Sequence, residues 1–277
     1  MELIRVFPRK TNATPMDEAV SFTAPTLFDE ADEVHISVTF TYDLGKADEL
    51  YKQWRHVAPT KIGGVALGDK GEEFISGKYL KKGYVITSRG CPNRCWFCSV
   101  WKREGNEVRE LTIVDGYNIL DDNLLACSNE HIKRVFEMLK NQKEKSLFTG
   151  GLEAARLKKW HVDELIKLKP KRLYFAYDTK DDYEPLKIAG KMLLDAGFTK
   201  ASHTLRCYVL IGYPKDEFGD AEKRLAETLD AGFTPMAMLW RNQGGKTDIQ
   251  WRRFQRRWVR PSIIYAREQK ALENWLL

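Results

Sequence analysis

The chain has 277 residues, 43% hydrophobic and 30% charged, with a formal net charge of +6. That balance excludes a disordered chain, which lacks the apolar residues to build a core, and fits a folded globular protein. No apolar run approaches the about 20 residues a bilayer span needs, so no membrane partner is expected.

The first residues, Met1-Glu2-Leu3-Ile4-Arg5, lack the apolar core of a secretory signal, and the cytoplasm is the expected compartment. Residues 34–40 predict a strand. Residues 46–57 predict a helix with Leu50, Tyr51 and Trp54 on one side. Residues 61–65 predict a second strand that ends at the Gly63-Gly64 turn. Residues 1–83 therefore predict a small βαβ unit.

From residue 84 onward strands alternate with helices. Strands are predicted at 84–87, 117–120, 145–149, 172–177, 206–211 and 236–240, and helices at 130–141, 161–168, 184–196 and 217–231. Polar or glycine residues follow five of these strands: the cysteine loop, Asp121-Asp122-Asn123, Gly150-Gly151-Leu152-Glu153, Asp178-Thr179 and Gly212-Tyr213-Pro214. Parallel α/β folds carry their sites at such strand ends. Two helices end on the same words, Asp-Ala-Gly-Phe-Thr, at 195–199 and 230–234. Glycine past the cap suits a left-handed stop, and the repeat supports serial βα units. Between 99 and 114, Gly105 and the β-favouring Leu111-Thr112-Ile113-Val114 argue against a long helix, so the first βα unit is expected to be short.

The segment Cys91-Pro92-Asn93-Arg94-Cys95-Trp96-Phe97-Cys98 places three thiols within eight residues, spaced Cys-x3-Cys-x2-Cys. A loop this tight can aim three thiolates at one iron-sulfur cluster. Cluster ligation usually takes four, so one iron would keep an open position. Zinc would need a second Cys or His pair. Cys95 and Cys98 make one pair, while Cys127, Cys207 and all five histidines stand alone. An odd number of cysteines without a leader argues against a disulfide framework. Cys127 and Cys207 lie in or beside apolar runs and read as small hydrophobes, and two thiols are too few for a second four-thiolate cluster.

The segment from Ser88-Arg89-Gly90-Cys91 to Cys98 resembles the signature of the radical S-adenosylmethionine (radical SAM) family. The resemblance implies α/β architecture: a partial (βα)6 TIM-like barrel over 84–240, with the cluster loop after its first strand. The small N-terminal βαβ extension (1–83) and a C-terminal basic helical tail (241–277) would flank it. It implies one 4Fe-4S cluster on Cys91, Cys95 and Cys98, with SAM chelated at the open iron. Phe97 would lie near the adenine. Asp121, Asp122 and Asn123 stand where the family holds the methionyl ammonium, and acceptors suit that donor. Asp178 would take the ribose hydroxyls, unless it caps a helix. Ile211 and Gly212 match the fifth-strand motif whose backbone meets adenine. Residues 1–83 resemble the end of the cobalamin-binding domain found in one branch of the family. The Asp-x-His-x-x-Gly motif is missing, since Asp32 and His35 are wrongly spaced, so no cobalamin is expected.

The tail holds the whole charge excess. Residues 241–277 carry nine Lys/Arg and three acids, while residues 1–240 balance at 36 against 36. Within 250–260, Trp251, Phe254 and Trp258 share one helical face, and Arg252, Arg253, Arg256, Arg257 and Arg260 cover much of the rest, with Pro261 as the stop. The aromatics read as a docking face, and the arginines as anion or nucleic-acid contacts.

The expected function is therefore reductive cleavage of SAM, with the resulting 5′-deoxyadenosyl radical abstracting hydrogen from a substrate. A flavodoxin- or ferredoxin-like donor would supply the electron. The basic tail points to a nucleotide or nucleic acid as substrate, with a peptide or small metabolite as the alternative. A different class is a cluster- or zinc-containing nucleic-acid-binding module without turnover.

Overall fold

The computed structural model describes residues 2–242, 244–259 and Ile264. The chain forms two compact units. One runs to Asp122 and includes 243–245; the other holds Asn123–Asn242 and the chain from Lys246 on. The boundary thus falls inside the predicted 84–240 core. Both units are α/β with parallel strands.

The first unit opens with strands β1 (Leu3–Val6), β2 (Val20–Ser21) and β3 (Glu33–Ser37), helix α1 (Leu44–Trp54) and strand β4 (Thr60–Gly63). The four strands form one parallel sheet in the order β2-β1-β3-β4. Strand β3 alternates as a half-buried strand should, with Val34 and Ile36 inward. Ala47, Leu50 and Trp54 of α1 lie at i, i+3 and i+7 and join those residues, Val6 and Val38 in one core. The predicted βαβ unit is β3-α1-β4. The sequence reading missed β1 and β2, because Arg5 disguised an interior strand. Arg5 is buried, and its guanidinium donates to the carbonyls of Gly77 and Lys78 and pairs with Asp17.

The rest of this unit is short and loop-rich: β5 (Tyr84–Val85), β6 (Ser88–Arg89), α2 (Val100–Glu104), β7 (Arg109–Glu110) and β8 (Asn118–Ile119). β5 pairs parallel with β8, and β6 antiparallel with β7. The predicted 84–87 strand stops at Val85 because Thr87 and Ser88 turn their polar groups onto Asp121.

The second unit is regular. It contains α3 (Asn129–Lys140), β9 (Leu147–Phe148), α4 (Lys159–Leu168), β10 (Arg172–Ala176), α5 (Tyr183–Asp195), β11 (Leu205–Ile211), α6 (Phe218–Asp230), β12 (Thr234–Leu239) and α7 (Ile249–Arg257). β9 to β12 pair in sequence order, all parallel. Helix α3 starts where the Ser128 side chain accepts the His131 N–H at 3.1 Å, and buries Ile132, Val135, Phe136 and Leu139 on one face. In β11, Leu205, Cys207, Val209 and Ile211 alternate inward. Cys207 is fully buried, and burial pushes its thiol pKa up, as a packing role requires. Strand β12 begins two residues earlier than predicted, with Pro235 inside it; as the last strand of this ladder it tolerates a residue without an N–H.

Both repeated stops close as expected. Gly197 and Gly232 sit at φ 108° and 94°. Phe198 N–H reaches the Leu193 carbonyl at 3.1 Å, and Phe233 N–H reaches that of Thr228, also at 3.1 Å. This is the six-to-one bond of a left-handed helix stop. Phe233 then packs edge-on against Phe175, with ring centroids 5.1 Å apart. Among the described residues no helix is long and apolar enough to cross a membrane.

Candidate metal centre

The cysteine loop hangs between β6 and α2, and its stem is held by carboxylates from the end of β8. Asp121 is 1% exposed. It accepts the Thr87 N–H at 2.6 Å, the Thr87 hydroxyl at 2.6 Å and the Ser88 hydroxyl at 2.8 Å. Asp122 accepts the Gly90 N–H at 2.9 Å and stands 3.9 Å from the Arg103 guanidinium. Burial raises the Asp121 pKa to about 6, against the pull of its three donors. Burial raises Asp122 as well, opposed by the Gly90 N–H and by Arg103 and Arg89. Gly90 is required at its place: φ is 90°, and a Cβ there would lie 2.2 Å from the Glu107 carbonyl oxygen.

Within the loop, Cys98 N–H donates to the Cys95 carbonyl at 3.1 Å, and the Trp101 indole N–H donates to the same oxygen at 3.0 Å. Cys91, Cys95 and Cys98 are all half-buried, and none forms a disulfide. The Cys98 pKa is raised, chiefly by burial, and the neighbouring Cys91 adds to the shift. Three soft sulfur donors on one loop, with burial penalising the bare thiolate of Cys98, suit a soft metal or an iron-sulfur cluster. Phe97 is half-buried and meets the exposed Trp96 edge-on at 5.3 Å.

Behind the loop lies a carboxylate that the sequence reading missed. The Glu104 side chain is fully buried. It accepts the Gly71 N–H at 3.0 Å, Arg103 Nε at 2.9 Å and Arg109 Nη2 at 2.9 Å. Burial works against its charge, but the Arg103 and Gly71 donors, with the charges of Arg103 and Arg89, outweigh it and hold its pKa below the usual value. In the sequence Glu104 sits in the charged run Lys102-Arg103-Glu104, which looks like solvated surface, so no local signal marks it.

The remaining predicted residues lie in the second unit. Asn123 Nδ2 donates to Glu153 Oε2 at 2.6 Å, and Arg156 Nε donates to the same oxygen at 2.6 Å. Asp178 accepts the Leu210 N–H at 2.9 Å, and burial raises its pKa to about 6. Of the two residues that suit capping there, Asp178 and Thr179, it is Thr179 that caps the short turn Lys180–Asp182, its N–H and hydroxyl donating to Asp182 at 2.7 and 3.0 Å. Ile211 is fully buried, and its carbonyl accepts the Trp240 N–H at 2.9 Å. The Gly212 N–H donates to Asp216 at 2.7 Å. Asp216 also holds the buried Arg224 at 2.9 Å, a pair that fixes the turn after β11 and that the sequence reading overlooked.

Helix α7 docks on this strand end. Asp248 caps it, accepting the N–H groups of Gln250 and Trp251 at 2.6 and 3.2 Å. Phe254 and Trp258 are buried, and the Trp251 ring lies against Gly212 and 4.3 Å from that of Phe218. Arg252, Arg253, Arg256 and Arg257 are exposed. Arg260 and the Pro261 stop lie outside the described residues.

The structure thus gathers Cys91, Cys95, Cys98, Phe97, Asp121 and Asp122 around one loop and its stem in the first unit. In the second it joins Ile211 and Gly212 to α7, and pairs Asn123 with Glu153 and Asp178 with Leu210. Compared with protein-family models and with curated protein sequences, the chain matches none.

Proposed function

We propose that this protein is a radical SAM enzyme built on a partial (βα)6 barrel, with Cys91, Cys95 and Cys98 as the ligands of one 4Fe-4S cluster. The observation that carries the reading is the three-thiol loop between β6 and α2, its stem braced by two successive carboxylates from the end of β8. When bound, the cluster supplies one electron that splits SAM into methionine and a 5′-deoxyadenosyl radical. The electron comes from an external flavodoxin- or ferredoxin-like donor. Asp121 and Asp122 brace the loop stem; both carboxylates already serve Thr87, Ser88 and Gly90, which favours a bracing role over direct contact with the methionyl ammonium. Phe97 offers a half-buried ring at the loop. Asp178, Ile211 and Gly212 form the candidate nucleoside-facing strand ends. Substrate chemistry would be hydrogen abstraction, the hard chemistry lying with the cofactor.

The test is anaerobic reconstitution with iron and sulfide, followed by dithionite and SAM, with 5′-deoxyadenosine quantified by mass spectrometry. The wild-type chain is expected to form it. Cys91→Ala, Cys95→Ala and Cys98→Ala are each expected to abolish it. Product from a triple variant would sink the assignment.

A further inference from the structure

Helix α7 has two unlike sides. The aromatic side is used up by the fold: Phe254 and Trp258 are 2% and 3% exposed, and Trp251 packs on Gly212 and Phe218. Gln255 Nε2 adds a hydrogen bond of 2.8 Å to the Ala237 carbonyl of β12. The helix is therefore fixed against the C-terminal end of β11. On the other side, Arg252, Arg253, Arg256 and Arg257 are all exposed. Their spacing i, i+1, i+4, i+5 makes two rows, one helical turn or about 6 Å apart along the axis.

These arginines differ from others in the chain. Arg103, Arg109 and Arg224 hold buried carboxylates. Among the described residues none of the four α7 arginines makes an ion pair. Asp248, the acid nearest them in sequence, is spent on the helix N-terminus. Residues 241–277 also carry the entire charge excess of the chain. Four exposed guanidinium groups on a docked helix, none in an ion pair among the described residues and Arg257 lying over the Phe254 ring at 5.7 Å, call for a ligand of regularly repeated negative charge.

We propose that the arginine stripe of α7 docks the phosphate backbone of a nucleic acid strand beside the C-terminal end of β11. Planar guanidinium groups bind phosphate oxygens two at a time. A membrane is the other repeated anionic surface, but an amphipathic helix binds it by inserting its apolar face, and here that face is buried in protein. Phe254 and Trp258 are buried and the half-buried Trp251 ring is packed on Phe218, so the exposed side of α7 offers charge and not rings, and the contact reads charge and not sequence.

The test is fluorescence anisotropy of the full chain with a short fluorescein-labelled oligonucleotide, single-stranded or duplex, titrated against salt. Four phosphate contacts give a slope of log K against log salt of about −2.8 for a single strand and about −3.6 for a duplex. Changing all four arginines to Gln should weaken binding at least tenfold and bring the slope near zero. Changing all four to Lys should keep most of the slope. All four side chains are solvent-facing, and an unchanged circular dichroism melt verifies the fold of each variant. The proposal is overturned by absent or salt-independent binding, by a slope the Gln variant leaves unchanged, or by binding to phosphatidylserine vesicles without binding to either oligonucleotide. Binding is measured without SAM or reductant, so its failure leaves the proposed enzyme reading standing, and a failure of SAM cleavage leaves the docking surface standing.

Discussion

The second unit and the stem of the cysteine loop in the first are held together by different physics. In the second, strands of up to seven residues, amphipathic helices and repeated glycine stops make a regular βα series around rings such as Phe175 and Phe233. In the first, the strands around the cysteine loop are two residues long, and buried carboxylates replace the ladder. The regular unit rests on apolar burial, which is non-directional and tolerant of small shifts. The loop stem rests on directional polar bonds, which fix atoms but leave costly orphans when broken.

The largest expected effect tests the regular unit. Phe175→Ala removes a fully buried ring from its contact with Phe233, and should cost about 3–5 kcal/mol in urea unfolding. Iron bound per folded chain should stay the same. Asp121→Ala should do the reverse in kind. It strands the Thr87 N–H and the Thr87 and Ser88 hydroxyls in a dry site, at about 3 kcal/mol, and the folded fraction should retain several-fold less iron after reconstitution. If Asp121→Ala destabilises the fold yet binds iron normally, the bracing role is wrong.

The two regions should also answer pH with opposite signs. The Asp121 pKa is raised to about 6 in the folded chain, so its contribution is fully present below the unfolded value of 3.8 and is lost as pH rises through 6. His161 behaves the other way. It is 1% exposed, its Nδ1 accepts the Lys158 N–H at 3.0 Å, and burial lowers its pKa to about 4. Its contribution is therefore present above 6.5 and is lost as pH falls through 4. Each is on the order of 3 kcal/mol. Unfolding measured from pH 4 to pH 7 should show His161→Asn removing an acid-side loss, and Asp121→Asn removing a loss toward neutral pH. Equal pH profiles for wild type and His161→Asn would refute the buried neutral imidazole.

The smallest effect concerns the docked helix. Asp248→Ala removes the cap that takes two N–H groups of α7, and should cost about 1 kcal/mol in the melt. No loss would mean that the aromatic face alone holds the helix.

Much of the regular unit was legible because its signals are local. The periodicity of α3, the repeated Asp-Ala-Gly-Phe-Thr stops and the aromatic face of α7 are each written within a dozen residues. The stem of the cysteine loop was legible only in part. The sequence marked Asp121 and Asp122 as polar residues at a strand end, but their partners lie 32 to 34 residues away. Glu104 and Asp216 were missed because a carboxylate beside arginine or lysine in sequence looks solvated until burial is known. Strand β1 was missed for the same reason, since Arg5 finds its acceptors more than 70 residues on.

The sequence by itself therefore determined the alternation of strands and helices, the three-thiol loop and the placement of the charge excess, because spacing, periodicity and capping are short-range. Only the tertiary structure decided what each carboxylate does. A buried charge is satisfied by whichever donor the fold brings within hydrogen-bonding distance, and that donor is set by chain crossings no local pattern encodes.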